Sequence, residues 1–180
     1  ADISYRHLKN QAYEVNLVFY RKCYSQPFPT PDIAIINDSF RLYSTMTRVK
    51  IEDLMVNCST KICNPANSLV TNAYGIEVHY YKDTIDFNIG NYKLFNTGKH
   101  CKVYFAFETC CRPSIQQSIN IHVDAMLDLC YAKNNSVSTS SFYNKIKTFT
   151  TLNQPFYYSF RTMDNYGGDS ISYELVKAKE

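Results

Sequence analysis

The stretch Tyr13-Glu14-Val15-Asn16-Leu17-Val18-Phe19-Tyr20 decides the fold class. In an extended chain Tyr13, Val15, Leu17 and Phe19 share one side, while Glu14 and Asn16 take the other. That period of 2 predicts a strand with one buried face. Three more stretches alternate in the same way: Ile76-Glu77-Val78-His79-Tyr80-Tyr81, Thr84-Ile85-Asp86-Phe87-Asn88-Ile89, and Lys102-Val103-Tyr104-Phe105-Ala106-Phe107-Glu108. Lys82-Asp83 reads as a tight connection that makes the first two a hairpin. Residues 33–36, 40–43, 47–56, 115–123, 142–149, 156–162 and 170–176 complete a set of about ten short strands, rich in β-branched and aromatic residues. The only helical signal covers residues 124–131, with Asp124 as candidate cap, and the same residues also suit a further strand. Residues 24–31, 59–67, 91–99 and 133–141 read as loops. The expectation is an all-β fold with little helix, a two-sheet antiparallel β-sandwich. No repeat or composition shift divides the chain, so one domain is expected over residues 1–180.

Composition agrees with a packed domain. At 180 residues the chain buries about 70% of its unfolded surface. Hydrophobic residues make up 45% and charged ones 19%, which excludes a disordered polymer. No apolar run approaches 18 residues, so no membrane span is expected. A net charge of +3 is too mild for a protein that grips nucleic acid by neutralising phosphates. Asn, Ile, Tyr and Lys, all with A/T-rich codons, supply about a third of the chain, which suggests an A/T-rich genome such as that of a large DNA virus or a parasite.

Seven cysteines are many for a reducing compartment and ordinary for a secreted domain. Cys23, Cys58, Cys63, Cys101, Cys110, Cys111 and Cys130 are the disulfide candidates, and an odd count leaves one free or paired outside the chain. Connectivity stays open; a vicinal Cys110–Cys111 bridge is disfavoured because adjacent strand residues point to opposite faces. Asn37, Asn57 and Asn134 head Asn-x-Ser sequons and are the glycosylation candidates. A chain that starts at Ala1 without a leader reads as a mature protein or an excised domain.

Catalytic signatures are missing from the sequence. It has no nucleophile elbow, no His-Glu-x-x-His, no phosphate-binding loop and no dinucleotide fingerprint. Gly167-Gly168 reads as a hairpin turn. The four His are dispersed, and the cysteines lack the knuckle spacing of a zinc site. The chain is therefore read as a binding protein without enzyme activity, metal or cofactor. Its candidate surface is the polar face of the central strands: Glu77, His79, Tyr81 and Asp83, then Asp86, then Tyr104 and Glu108 on a third strand. Ile76, Val78 and Tyr80 are assigned to the core. Tyrosine among carboxylates suits a basic protein partner, since Tyr supplies contact area and acids steer the encounter.

Residues 13–23 (YEVNLVFYRKC), 101–111 (CKVYFAFETCC) and 123–130 (VDAMLDLC) resemble the SECRET domain of the poxvirus immune-evasion superfamily. That module binds chemokines at the C-terminal end of viral tumour-necrosis-factor receptor homologues of the cytokine response modifier type, and as free-standing secreted proteins. The resemblance spans residues 5–176. It implies a secreted, extracellular β-sandwich that binds host chemokines and blocks leukocyte recruitment. With a chemokine as the partner, the seven residues read above from strand alternation are the expected contact, and the resemblance adds glycosaminoglycans as a candidate second attachment through spare Lys and Arg. Nothing in the chain resembles the Cys-rich repeats that bind tumour necrosis factor. A sister branch of the superfamily retains class I histocompatibility molecules and is the alternative reading, ahead of a β-sandwich hydrolase. The terminal Leu175-Val176-Lys177-Ala178-Lys179-Glu180 lacks the retrieval signal expected of that branch.

Overall fold

In the computed structural model, which describes residues 1–22, 29–54, 76–112, 119–142, 153, 155, 157, 162–163 and 170–175, residues 13–20 lie within β2 (Ala12–Lys22). β2 pairs with β1 (Asp2–Lys9) on one side and β6 (Ile76–Asp86) on the other, and β5 (Thr47–Asp53) lies beyond β6. A second sheet has the order β4 (Arg41–Thr45), β3 (Asp32–Ile36), β7 (Lys102–Arg112), β8 (Ile119–Asp128). All these pairs are antiparallel. β9 (Ser141–Phe142) and β10 (Thr162–Met163) form a separate two-residue ladder. A 3-10 helix (Gly90–Phe95) follows β6, and α1 (Leu129–Ala132) follows β8. The protein is an all-β sandwich, as its alternation predicts.

The core is the meeting of two alternating faces. Tyr13, Val15, Leu17 and Phe19 from β2 meet Ile33, Ile35, Val103, Phe105 and Phe107 of the other sheet, all buried. Phe105 stands between Tyr5 and Phe87, with ring centroids at 5.6 and 6.3 Å, and Phe19 meets Phe107 edge-on at 5.7 Å. Such tilted aromatic pairs add about 0.5–1.5 kcal/mol each beyond the area they bury. The Tyr5 hydroxyl donates to the Met126 carbonyl at 3.0 Å, joining β1 of one sheet to β8 of the other. Ser138 and Thr139 close the outer edge of β1: their side-chain oxygens accept from the His7 and Tyr5 N–H groups, both at 2.9 Å. That edge offers those groups to no other strand.

Two connections position everything else. β4 and β5 belong to different sheets, yet a single residue, Met46, separates them; it is buried, and its N–H bonds the Pro31 carbonyl at 2.9 Å. Cys101, just before β7, forms a disulfide with Cys130 in α1, beside a 2.8 Å bond from the Leu129 N–H to the Cys101 carbonyl. The β7–β8 hairpin is thus locked at its base. Cys23, Cys58 and Cys63 lie outside the described residues, as do the side chains of Cys110 and Cys111.

Several expectations need correction. β1 was not anticipated, because Ile3 and Tyr5 alone carry its apolar face. No turn interrupts residues 82–83: β6 runs unbroken from Ile76 to Asp86. Residues 124–128 continue β8 as a strand, and the helix begins only at Leu129 with Asp128 as its cap, accepting from the Tyr131 N–H at 3.0 Å. Residues 170–175 are not a strand. The candidates at 142–149 and 156–162 fall almost wholly outside the described residues.

Replacing Cys101 and Cys130 by Ser opens a loop with a sequence separation of 29, which is expected to cost about 3–4 kcal/mol in denaturant unfolding. Peptide mapping without reductant should recover the Cys101–Cys130 link. Burial pushes the phenols of Tyr5 and Tyr13 up to about 12. Both groups hold their protons more tightly when folded, so their contribution is complete below pH about 10 and is lost as pH rises from about 10 to 12. Among the described residues the buried Tyr13 hydroxyl has no hydrogen-bond partner. Tyr13→Phe should therefore be neutral or stabilising at pH 7 and should lessen the alkaline loss, read from melts across that range.

Candidate functional site

Residues opposite one another in an antiparallel pair share a face of the sheet. β2 therefore dictates the orientation of β6 through Val15↔Asp83, Leu17↔Tyr81, Phe19↔His79 and Arg21↔Glu77. Glu77, His79, Tyr81 and Asp83 point inward, toward the second sheet. This overturns their assignment to an exposed binding face: His79 and Tyr81 are buried, and Glu77 and Asp83 are half-buried. Tyr80, assigned to the core, lies on the outer side instead, where its hydroxyl donates to Glu52 at 2.7 Å. The alternation is as expected and the four polar or aromatic side chains taken for the binding face turn inward; Val78, on the same side as Tyr80, is nevertheless fully buried, as expected of it.

The inward polar groups satisfy one another, as buried polar atoms must. Glu77 Oε2 lies 2.9 Å from His79 Nε2 and 3.8 Å from Arg21 Nε. The Tyr81 hydroxyl lies 3.4 Å from His79 Nδ1, and the two rings stack with 16° between planes. Burial raises the Tyr81 phenol, with Arg48 and Arg21 pulling the other way. Asp83 accepts from Ser44 on β4, and the Tyr92 hydroxyl donates to the same Ser44 oxygen at 3.1 Å. This ladder ties the two sheets together and belongs to the scaffold. An open recess of about 440 Å³ beside it is lined by Thr30, Thr45, Met46, Thr47, Arg48 and Tyr81, with no acid–base pair among them. Asp86 caps the turn after β6 by accepting from the Asn88 N–H at 2.8 Å.

Tyr104 and Glu108 lie on the outer side of the second sheet, away from the other five. Ile35↔Phe105 and Phe105↔Ala125 mark the inner rows, so Ala34, Ile36, Tyr104, Ala106, His122, Asp124 and Met126 form the outer ones. One row runs Tyr43, Ala34, Ala106, Asp124 across β4, β3, β7 and β8; the next runs Arg41, Ile36, Tyr104, Met126. The two alanines make a low floor. Tyr43 (62% exposed) and Met126 (45%) stand at its sides. Glu108, exposed, pairs with His122, whose Nδ1 is 3.0 Å from Glu108 Oε1 and whose Nε2 is 3.9 Å from Asp124 Oδ2. Asp32 is exposed on the same side. Sequence reading missed Tyr43, His122, Asp124 and Met126. The strict alternation of residues 122–127 carries the signal, once they are read as strand.

Among the described residues one group has metal-competent side chains, Cys101, Asp128 and Cys130, but its two sulfurs are bonded to each other and are not thiolates. No helix among the described residues is long and apolar enough to cross a membrane. Asn37 is a poor glycan acceptor: it is 9% exposed, and its Oδ1 accepts from the Ser39 and Phe40 N–H groups at 2.9 and 2.7 Å. Asn134 is exposed in the turn after α1, and Asn57 lies outside the described residues. Comparison with protein-family models, with curated proteins and with solved structures returns no match.

Charge reversal separates scaffold from surface. Asp83→Lys removes the acceptor of Ser44 and places an ammonium between the sheets, and should cost about 2 kcal/mol or more. Asp124→Lys and Glu108→Lys, on the outer side, should each change stability by about 0.5 kcal/mol or less. Thermal melts of the three variants test the reversed face; equal losses would contradict it.

Proposed function

We propose that this chain is a protein-capture module that binds a basic host protein, of the chemokine class, on the outer side of β4-β3-β7-β8. The observation that carries this reading is the composition of that side. It places Asp32, Glu108 and Asp124 around an alanine floor flanked by Tyr43, Tyr104 and Met126, with Arg41 and Lys102 toward one end of the same side. Aromatic and Met side chains supply contact area, and carboxylates attract a basic partner and set its register. The net charge of +3 is compatible with this, because steering depends on local potential and not on the total. The resemblance to SECRET domains supplies the partner class and the secreted, immune-evasion setting. The interface anchors are Tyr43, Tyr104 and Met126, with Glu108 and Asp124 as the charged contacts.

A surface-plasmon panel of chemokines, other cytokines and class I heavy chains tests the reading. Binding of chemokines is expected, weakened at least tenfold by Glu108→Lys or Tyr43→Ala. Glu14→Lys, on the outer side of the other sheet beside Arg6 and Lys82, should leave binding nearly unchanged. Binding confined to class I heavy chains would transfer the protein to the alternative branch. No binding to any chemokine would end the proposal.

A further inference from the structure

The turn from β3 to β4 carries an arrangement that protein capture leaves unused. Ser39 Oγ lies 3.0 Å from His100 Nε2. His100 Nδ1 lies 3.4 Å from Asp38 Oδ2. Hydroxyl, imidazole and carboxylate stand in the order that activates a serine: with the Asp38 carboxylate as the ion-pair neighbour of Nδ1, the Nε2 lone pair is the one left to receive the hydroxyl proton.

Both halves of the arrangement are held independently. On one side, Asn37 Oδ1 accepts from the backbone N–H groups of Ser39 and Phe40, and the Asn37 N–H bonds the Phe40 carbonyl at 3.0 Å, so the turn is fixed from within. On the other, His100 directly precedes Cys101, which the disulfide to Cys130 and the bond from Leu129 anchor. Ser39 and His100 are 61 positions apart in the chain, so sequence proximity does not bring them together. Ser39 is exposed, and the His100 and Asp38 side chains are 35% and 86% exposed, so a reagent reaches all three.

We propose that Ser39 is a nucleophilic site, with His100 as its general base and Asp38 as a positioning residue, that takes an activated acyl or phosphonyl donor. The bonds at Asn37 define the substrate class. With the Ser39 and Phe40 N–H groups already engaged by Asn37 Oδ1, neither the nucleophile's own N–H nor the next one along the chain is free to hold an oxyanion. The donor must therefore bring its own good leaving group: an activated ester serves and an amide does not. In the acyl step Ser39 Oγ bonds the carbonyl carbon, the bond to the leaving oxygen breaks, and the hydroxyl proton passes to Nε2 and on to that oxygen. Water then attacks the acyl-serine, gives a proton to Nε2 that returns to Ser39, and releases the carboxylic acid. With a fluorophosphonate the first step forms a P–O bond and breaks the P–F bond, fluoride leaves, the hydroxyl proton passes to Nε2 and on to solvent, and the reaction stops there.

The test is incubation of the full chain with a fluorophosphonate probe, with rates from intact mass and the site from peptide mapping. One adduct on Ser39 is expected, absent in Ser39→Ala. His100→Ala should slow labelling at least a hundredfold. His100→Gln, which can still hydrogen-bond the serine but takes no proton, should slow it equally while the melting temperature holds. Asp38→Asn should slow it about tenfold, and Asp38→Glu should restore most of the rate. No adduct, an adduct on a different serine, or wild-type rates in both His100 variants would overturn the proposal.

Discussion

The antiparallel pairing of β2 with β6 is the constraint on which the rest depends. β2 has an unambiguous inside, set by Tyr13, Val15, Leu17 and Phe19, and pairing forces each partner on β6 to the same side. The polar residues Glu77, His79 and Asp83 are thereby committed to the space between the sheets. They are tolerable there because each meets a partner: Glu77 with His79 and Arg21, and Asp83 with Ser44. A set of interior polar contacts is costly to satisfy halfway and specific when satisfied. It fixes one strand register and one relation between sheets more firmly than interchangeable aliphatic contacts do.

The fold class was legible in the sequence because period-2 alternation is a local signal, strong in residues 13–20 and 102–108. The face of β6 was not legible, for a physical reason. Ile76, Val78 and Tyr80 occupy even positions while Ile85 and Phe87 occupy odd ones, so two apolar parities conflict within one stretch. A turn at Lys82-Asp83 resolves the conflict on paper. The chain resolves it by keeping the strand whole, turning the odd positions inward and pairing the polar side chains among them, while Val78 is buried on the other side. Only the neighbour strand holds that information. Residues 124–128 were ambiguous because Asp-Ala-Met-Leu-Asp suits a helix by propensity; pairing with β7 overrides it. Of the expected contact residues, Tyr104 and Glu108 alone share an outer face, since strand order is a tertiary fact that no single stretch encodes.

The outer side of the second sheet gains from how its support is built. β7 and β8 are joined by a long ladder from Lys102↔Asp128 to Arg112↔Ile119, and the disulfide and the Leu129–Cys101 bond close its base. Side chains such as Glu108, Asp124 and Met126 thus stand on a backbone with little freedom to lose on association. Preorganisation of this kind lowers the entropic cost of binding without adding a contact.

Met46 has a mechanical meaning beyond the core it fills. With one buried residue between β4 and β5, the two layers are stitched at a corner, as pages are at the spine of a book. Neither layer can slide along the other without tearing that stitch, so the available distortion is a swing about it that parts the layers at the far margin. Protection against hydrogen exchange should consequently fade with distance from the spine: Met46 and its neighbours form the hinge line, and β1 and β8, bridged by the Tyr5 hydroxyl, form the clasp. A layer mounted this way moves as one plate.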